Sequence, residues 1–380
     1  MPDVFDGILG QPQVRRFLRS AVQGGRVGHA YLFTGPAGSN KTQAAYALAQ
    51  AVICEKGGCD GCDACKRVVR RTHPDVRYYF PEGASGYLVE QVREIVADVD
   101  LAPIQAKSKV YIIDRADLLG TQAANAFLKT LEEPPAGVVI IMLGRTLESV
   151  LPTIVSRCQA VPFRQIPVSE ACGIVSQNTG ASRMEAAAAI QACGGSLTGA
   201  MEFVKSTERF AFRARVIEVM ELLRNADDLD VLGYVQELLN RAKAPLDLVR
   251  AAQEEELAAS ADFMAKSALR QIEMRHKRAL AAKTTESLNQ ITAIIRSWLR
   301  DVLMVCGNAP QLVINEDARR GIIDAAELTD AARVARALMA VDETDAAIAA
   351  NVSPETCFDV LLFQTREVLY GTHCTGYAAK

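Results

Sequence analysis

Apolar residues recur along the first 165 positions in two alternating rhythms. In PQVRRFLRSAVQGG, Val14, Phe17, Leu18, Ala21 and Val22 fall at helical spacing, and Gly24-Gly25 stops the run. The stretch 29–35, HAYLFTG, is a short apolar run that ends in a glycine turn, the pattern of a buried strand. The segment 41–54, KTQAAYALAQAVIC, predicts a helix directly after it, and KVYIIDRAD (109–117) is a second apolar run ending in acid. TQAANAFLKTLEEPP (121–135) places Ala124, Phe127, Leu128 and Leu131 on one helical face and is terminated by Pro134-Pro135. GVVIIMLG (137–144) is a third strand pattern, and LPTIVSRCQAVPF (151–163) leads into another short strand. Strands alternating with helices predict an α/β domain with a mostly parallel sheet, whose ligands lie at the carboxyl ends of the strands.

The texture changes after FRQIP. Residues 167–380 hold no comparable β run; SRMEAAAAIQACGG, ERFAFRARVIEVMELLRN, DVLGYVQELLNRA, TTESLNQITAIIRSWLRDVLMVCGN and PETCFDVLLFQTREVL read as amphipathic helices. A break at Gly194-Gly195-Ser196 and a junction at KSTERF place a boundary near 207. The expected division is 1–165, 166–207 and 208–380. Methionine and aromatic positions in the helices, Trp298 included, read as core. The basic run MRHKRALAAK (274–283) reads as a solvated face, with DNA contact as the alternative.

Composition narrows the class. With 380 residues, 49% of them apolar, the chain can bury two or three cores. A net charge of −3, from 42 Lys+Arg against 45 Asp+Glu, leaves nucleic acid or a membrane surface undemanded by the total. No charged-then-apolar leader opens MPDVFDGILG and no apolar run approaches a membrane span, so the expected location is the cytoplasm. Ten cysteines are many for that compartment. Four are clustered as Cys54-x4-Cys59-x2-Cys62-x2-Cys65, with Gly57, Gly58 and Gly61 for the turns, a spacing suited to one structural Zn²⁺ held by four thiolates. Four free thiols on a loop are the bland alternative. Cys158, Cys172, Cys193, Cys306, Cys357 and Cys374 are scattered and read as core.

The loop after the first strand pattern is GPAGSNKT (35–42), one letter from the phosphate-binding G-x-x-x-x-G-K-[ST]. Gly35, Gly38, Lys41 and Thr42 are in place, and Asn40 stands where the last glycine belongs. Asn adopts a positive φ more readily than other side-chain-bearing residues, so the motif is weakened without being erased. Asp114, at the end of the second apolar run, suits a Mg²⁺ shell. Arg115 follows it where a general base would be expected, and a guanidinium stays protonated. Asp117 is expected to face elsewhere. By itself, Arg157 in Ser156-Arg157-Cys158 reads as a solvated surface group.

In this order, ILGQPQV, HAYLFTGPAGSNKT, the four-cysteine insertion, NAFLKTLEEPP and LPTIVSRCQ resemble the bacterial DNA polymerase III clamp-loader subunits of the AAA+ class, across the first 205 residues. SWLRDVL and NVSPETCFDVLLF resemble, more loosely, the collar helices of the family's delta-prime branch. The resemblance implies an N-terminal AAA+ domain with a zinc module, a small helical lid and an all-α collar. It implies gamma/tau and delta subunits as partners, with the sliding clamp, and primer-template DNA through the complex, and no membrane. Asn40, Arg115 and Thr198, the last standing where the ATP-hydrolysing branch has a lid arginine, imply little or no ATPase. Arg157 is then implied as an arginine finger acting in trans on ATP bound by a neighbouring subunit. Mg²⁺ with ATP or ADP remains compatible with the loop as a static ligand. Two other readings stay open: a gamma/tau-type motor, which also carries the expectation of a long C-terminal extension, and a nucleotide-independent scaffold.

Overall fold

The computed structural model describes residues 3–83, 86–260 and 266–371, and Cys374 lies outside them. Two compact units divide the chain: Met1–Ile174 with Gly195–Leu197, and Val175–Gly194 with Thr198–Lys380.

The first unit contains α1 (Pro12–Gln23), β1 (Ala30–Thr34), α2 (Lys41–Ile53), α3 (Asp63–Val69), β2 (Val76–Tyr79), α4 (Val89–Val99), β3 (Lys109–Ile113), α5 (Thr121–Glu132), β4 (Val138–Gly144), α6 (Pro152–Val155), β5 (Gln159–Pro162) and the start of α7 (Val168–Thr179). Its sheet has the order β2-β3-β4-β1-β5, and every pairing is parallel. The expected α/β architecture is therefore present. Strands β1, β3 and β4 are buried at every position, as a parallel sheet covered on both faces requires. Alternate side chains enter two cores. Tyr31, Phe33, Val110, Ile112, Ile141 and Leu143 meet Leu18, Leu48 and Ile53 on one face. Leu32, Tyr111, Ile113, Ile140 and Met142 meet Ile95, Phe127, Leu131 and Ile154 on the other.

Strand β2 and helix α4 went unread in the sequence. β2 is an edge strand, VRYY, with no fully buried position, so the continuous apolar run that marks an interior strand is missing.

One buried carboxylate anchors the connection into β3. Asp75, fully buried, accepts hydrogen bonds from the backbone N–H groups of Ile104 (2.6 Å), Gln105 (2.8 Å) and Ala106 (2.8 Å). Burial pushes its pKa up, but these N–H groups outweigh that and hold it below the ordinary 3.8.

The second unit is helical among the described residues: α8 (Arg183–Ala192), α9 (Leu197–Val204), α10 (Thr207–Leu222), α11 (Asp228–Ser260), α12 (Lys266–Cys306), α13 (Arg319–Ala326), α14 (Ala331–Ala349) and α15 (Pro354–Tyr370). Helix α12 packs against α8, α10, α11, α13 and α14. Trp298 is fully buried in it, as read. Helices α11 and α12 run well beyond the segments their periodicity marked, and α14, rich in alanine, carried too weak an apolar stripe to be read. A polar network, buried at Arg213, Asp301 and Asn315, ties the 313–317 segment to this core: Asp301 accepts from the N–H groups of Ile314 (2.9 Å) and Asn315 (2.7 Å), while Arg213 donates to Asn315 (2.6 Å) and to the exposed Asp317 (2.5 Å). The basic run 274–283 lies inside α12, with Lys277 and Lys283 exposed; the side chains at 274, 275, 278, 279 and 282 fall outside the described residues.

Asp75→Asn is expected to lower the stability of the first unit by about 2 kcal/mol or more, since bonds to a buried charged acceptor are worth roughly 1.5–3 kcal/mol. Because the folded pKa lies below the unfolded one, this contribution is complete above about pH 4 and is lost as pH falls through the folded value. Urea unfolding of both proteins at pH 7 and near pH 3 checks it: the gap should narrow in acid.

Candidate functional site

The carboxyl ends of β1, β3 and β4 place the predicted loop and acid at one edge of the sheet. Gly35 continues β1, and its N–H donates to the carbonyl of Arg145 beyond β4 (2.9 Å). A Cβ on Gly35 would fall 2.5 Å from the carbonyl oxygen of Phe163, and one on Gly38 2.5 Å from that of Gly195, so both positions need glycine. Asn40 has φ 71° and ψ 21°, the left-handed conformation, directly before α2. Its side-chain amide donates to the carbonyl of Leu9 (3.2 Å). The glycine conformation survives the substitution, and the amide gains a partner.

Gln11, which sequence reasoning passed over, clamps this loop. It is buried, donates to the carbonyls of Ser39 (3.0 Å) and Arg164 (2.8 Å), and accepts from the N–H of Arg164 (3.3 Å). A single glutamine before a proline gives no signal from which this could be found. Lys41 folds onto the loop itself, donating to the carbonyls of Gly35 (2.5 Å) and Pro36 (2.7 Å) and to Ser39 Oγ (3.3 Å). Burial lowers its pKa; Asp114 and Asp117 act in the opposite sense, and Arg145 adds to the lowering.

Asp114 follows β3 and is fully engaged by donors. Oδ1 accepts from the N–H of Arg115 (2.8 Å) and Oδ2 from the hydroxyl of Tyr78 (2.5 Å). Tyr78 stacks on Tyr46 of α2 at 6.1 Å, and the Arg71 guanidinium lies over the far partner's ring, 5.0 Å from the Tyr46 centroid. Burial, then the Asp114 charge, raises the Tyr78 pKa, so the phenol stays a donor. Arg115 takes the left-handed conformation at φ 52° and donates through Nε and Nη2 to Asp117 Oδ2 (3.2 and 3.1 Å). Asp117 accepts both of these bonds, its charge acts on Lys41 through space, and its buried Oδ1 has no hydrogen-bond partner.

Arg157 lies just past α6. Its Nε donates to Glu132 Oε1 (2.6 Å), Nη2 donates to the same oxygen, and Nη1 reaches Thr153 O (2.8 Å) and Ser156 Oγ (3.2 Å). The neighbouring Cys158 thiol is pushed up to about 12 by burial, which makes it inert. Thr198 is exposed in α9.

The four clustered cysteines come together. All four sulfurs lie within 4.8 Å of one another, and Cys54 Sγ is 3.7 Å from those of both Cys59 and Cys62. A tetrahedral ion bonded at ~2.3 Å sets its sulfurs about 3.8 Å apart. Burial opposes ionisation of Cys54, but the backbone N–H groups of Cys59, Gly58 and Lys56 bring it down to about 6. The N–H groups of Gly61 and Cys62 lower Cys59 as well, whereas burial raises Cys65. Among the remaining cysteines Cys172 and Cys357 are buried, and Cys158, Cys193 and Cys306 are half-buried.

Comparison with known proteins bears on this arrangement as a whole. Residues 10–167 match the family described as DNA polymerase III, delta subunit. The chain is 31% identical over 217 residues to DNA polymerase III subunit delta' of Bacillus subtilis, covering 56% of this chain and 65% of that one. It is 36% identical over 188 residues to subunit tau of the same organism, covering 48% and 33%. Over residues 10–167 the chain is similar to the clamp-loader subunits of DNA polymerase III. Its match spans less than two thirds of either relative's length. A solved Thermotoga maritima structure, a DNA polymerase III gamma subunit-related protein, covers 92% of this chain and 98% of its own at TM-score 0.44 and 18% identity. Among the described residues no helix is long and apolar enough to cross a membrane.

The four-cysteine module fits zinc on donor type, spacing and the N–H groups that favour thiolate, so Cys54, Cys59, Cys62 and Cys65 would hold the ion in a closed structural site. Metal analysis of the purified protein is expected to give about one zinc per chain, and serine at Cys54 or Cys62 to remove it. A chain that retains its fold with no bound zinc would rule the centre out.

Proposed function

We propose that this chain is a delta-prime-like subunit of the DNA polymerase III clamp loader, with little or no ATPase of its own, which supplies Arg157 in trans to a nucleotide bound by its neighbour. The observation that carries this reading is Arg115. It occupies the place of the general base, cannot accept a proton, and spends its guanidinium on Asp117 rather than on a water. Thr198, at the position of the lid arginine, supports the same reading. A site without a base and without that cation lacks two sources of transition-state stabilisation.

Arg157 complements this loss. It sits on the rim of the unit, half-exposed, on a turn held by the buried Ile154. A planar cation reaching an adjacent γ-phosphate would stabilise the charge that spreads over its oxygens during transfer, and would make hydrolysis depend on how subunits are seated. In this reading residues 1–165 form the AAA+ domain, 166–207 the lid and 208–380 the collar. The partners are gamma/tau and delta subunits, with the sliding clamp and primed DNA engaged by the complex, in the cytoplasm. The retained Lys41, Thr42 and Asp114, and the left-handed Asn40, favour a nucleotide held without turnover over a scaffold that binds none.

Two measurements test this. The isolated chain should bind a fluorescent ATP analogue without Mg²⁺-dependent turnover; appreciable hydrolysis would restore the motor reading. In the reconstituted loader, Arg157→Ala should lower clamp- and DNA-stimulated hydrolysis by about threefold or more, since a finger is worth roughly 10³–10⁵ at its own site. An unchanged stimulated rate would remove Arg157 from the mechanism.

A further inference from the structure

Glu132 is an unfavourable residue for its place. It is the last residue of α5, where exposed carbonyls make the helix end negative, and Glu133 follows it. Two carboxylates at a helix C-terminus break a local rule, and such breaks mark functional positions. The compensating cation comes from a different element: Arg157 delivers both Nε and Nη2 to one Glu132 oxygen. The pairing is prearranged, because Leu131, just before Glu132, and Ile154, on the turn that carries Arg157, are buried in the same core.

The consequence for the arginine is specific. Nη1 is held by Thr153 O and Ser156 Oγ within its own turn, which orients the side chain, while Nε and Nη2 are held by a carboxylate whose charge cancels that of the guanidinium. A guanidinium so paired offers a phosphate little net charge and few free donors. The carboxylate is about half exposed, at 47%, so the pair is weak enough to open at modest cost.

We infer that Glu132 is a latch on Arg157: a positioning residue that keeps the guanidinium neutralised until subunit seating offers it a phosphate in exchange. This rests on the reading of Arg157 as a trans-acting group. The latch suppresses hydrolysis when the ring is not productively assembled and gives way when a more highly charged acceptor replaces it.

The test uses the reconstituted clamp loader and compares wild type, Arg157→Ala, Glu132→Gln, Glu132→Asp and the double variant Glu132→Gln/Arg157→Ala, each with and without clamp and primed DNA. Glu132→Gln is expected to raise the unstimulated rate about two- to fivefold, the range of an exposed ion pair, with the stimulated rate little changed, so that the stimulation ratio collapses. Glu132→Asp, which keeps the charge, should restore most of the ratio. In the Arg157→Ala background, Glu132→Gln should have no effect. If Arg157→Ala lowers the stimulated rate while Glu132→Gln leaves the ratio intact, the latch is wrong and the trans reading stands. If the Glu132→Gln effect persists without Arg157, Glu132 acts elsewhere and the latch is wrong. If Arg157→Ala changes nothing, both fall together.

Discussion

Everything chemical in the first unit depends on a parallel sheet buried on both faces. Because β1, β3 and β4 are buried along their whole length, function is confined to where they end. Parallel pairing puts those ends on one edge. Gly35 bonds to Arg145, Asp114 to Tyr79 and Phe163 to Thr34, so the registers of four strand pairs converge on the phosphate loop. Repacking either core by one residue would move the loop relative to Asp114, since a shift of register sends each side chain to the opposite face.

At that edge the charged groups are satisfied within the chain. Lys41 bonds loop carbonyls, Asp114 is held by Tyr78 and the Arg115 amide, and Arg115 is held by Asp117. Each of these groups has a local partner, and among them Asp117 Oδ1 is buried without one. Such pairing holds the charges of the edge within the unit and contributes to its stability.

How far this was legible follows from which interactions are local. Interior strands announce themselves as unbroken apolar runs, and α5 as one apolar face closed by two prolines, so the sheet order's main members and their loops were readable. The convergence of the four cysteines was readable because they lie within twelve residues of sequence at a spacing suited to one ion. Long-range polar contacts leave no such trace. Gln11 acts on Ser39 and Arg164, Asp75 on residues 104–106, and Tyr78 on Asp114; none has a periodic or motif signature. Asp117 sits in a short 3-10 turn, Ala116–Leu118, where helical and strand periodicities say nothing of side-chain direction. Edge strand β2 and the alanine-rich α14 escaped because half-exposed or small side chains blunt the hydrophobic pattern.

Under the proposed reading, an arginine in the place of the base and a second arginine on the rim are coherent together, because the catalytic contribution then lies outside the chain's own loop. Had the chain decayed into a plain scaffold, nothing would maintain two carboxylates at the end of α5 against the helix dipole, or set a guanidinium on the turn after α6 to answer one of them. The two carboxylates carry a local electrostatic cost that vanishes with neutral residues at the same positions. Their joint presence argues that the rim of the unit, not its loop, is where charge is held for use. Gln11, Asn40 and Lys41 tie the 9–11 segment, the 35–42 loop and residue 164 into one body with the sheet edge, the kind of unyielding support that the proposed trans-acting arginine requires.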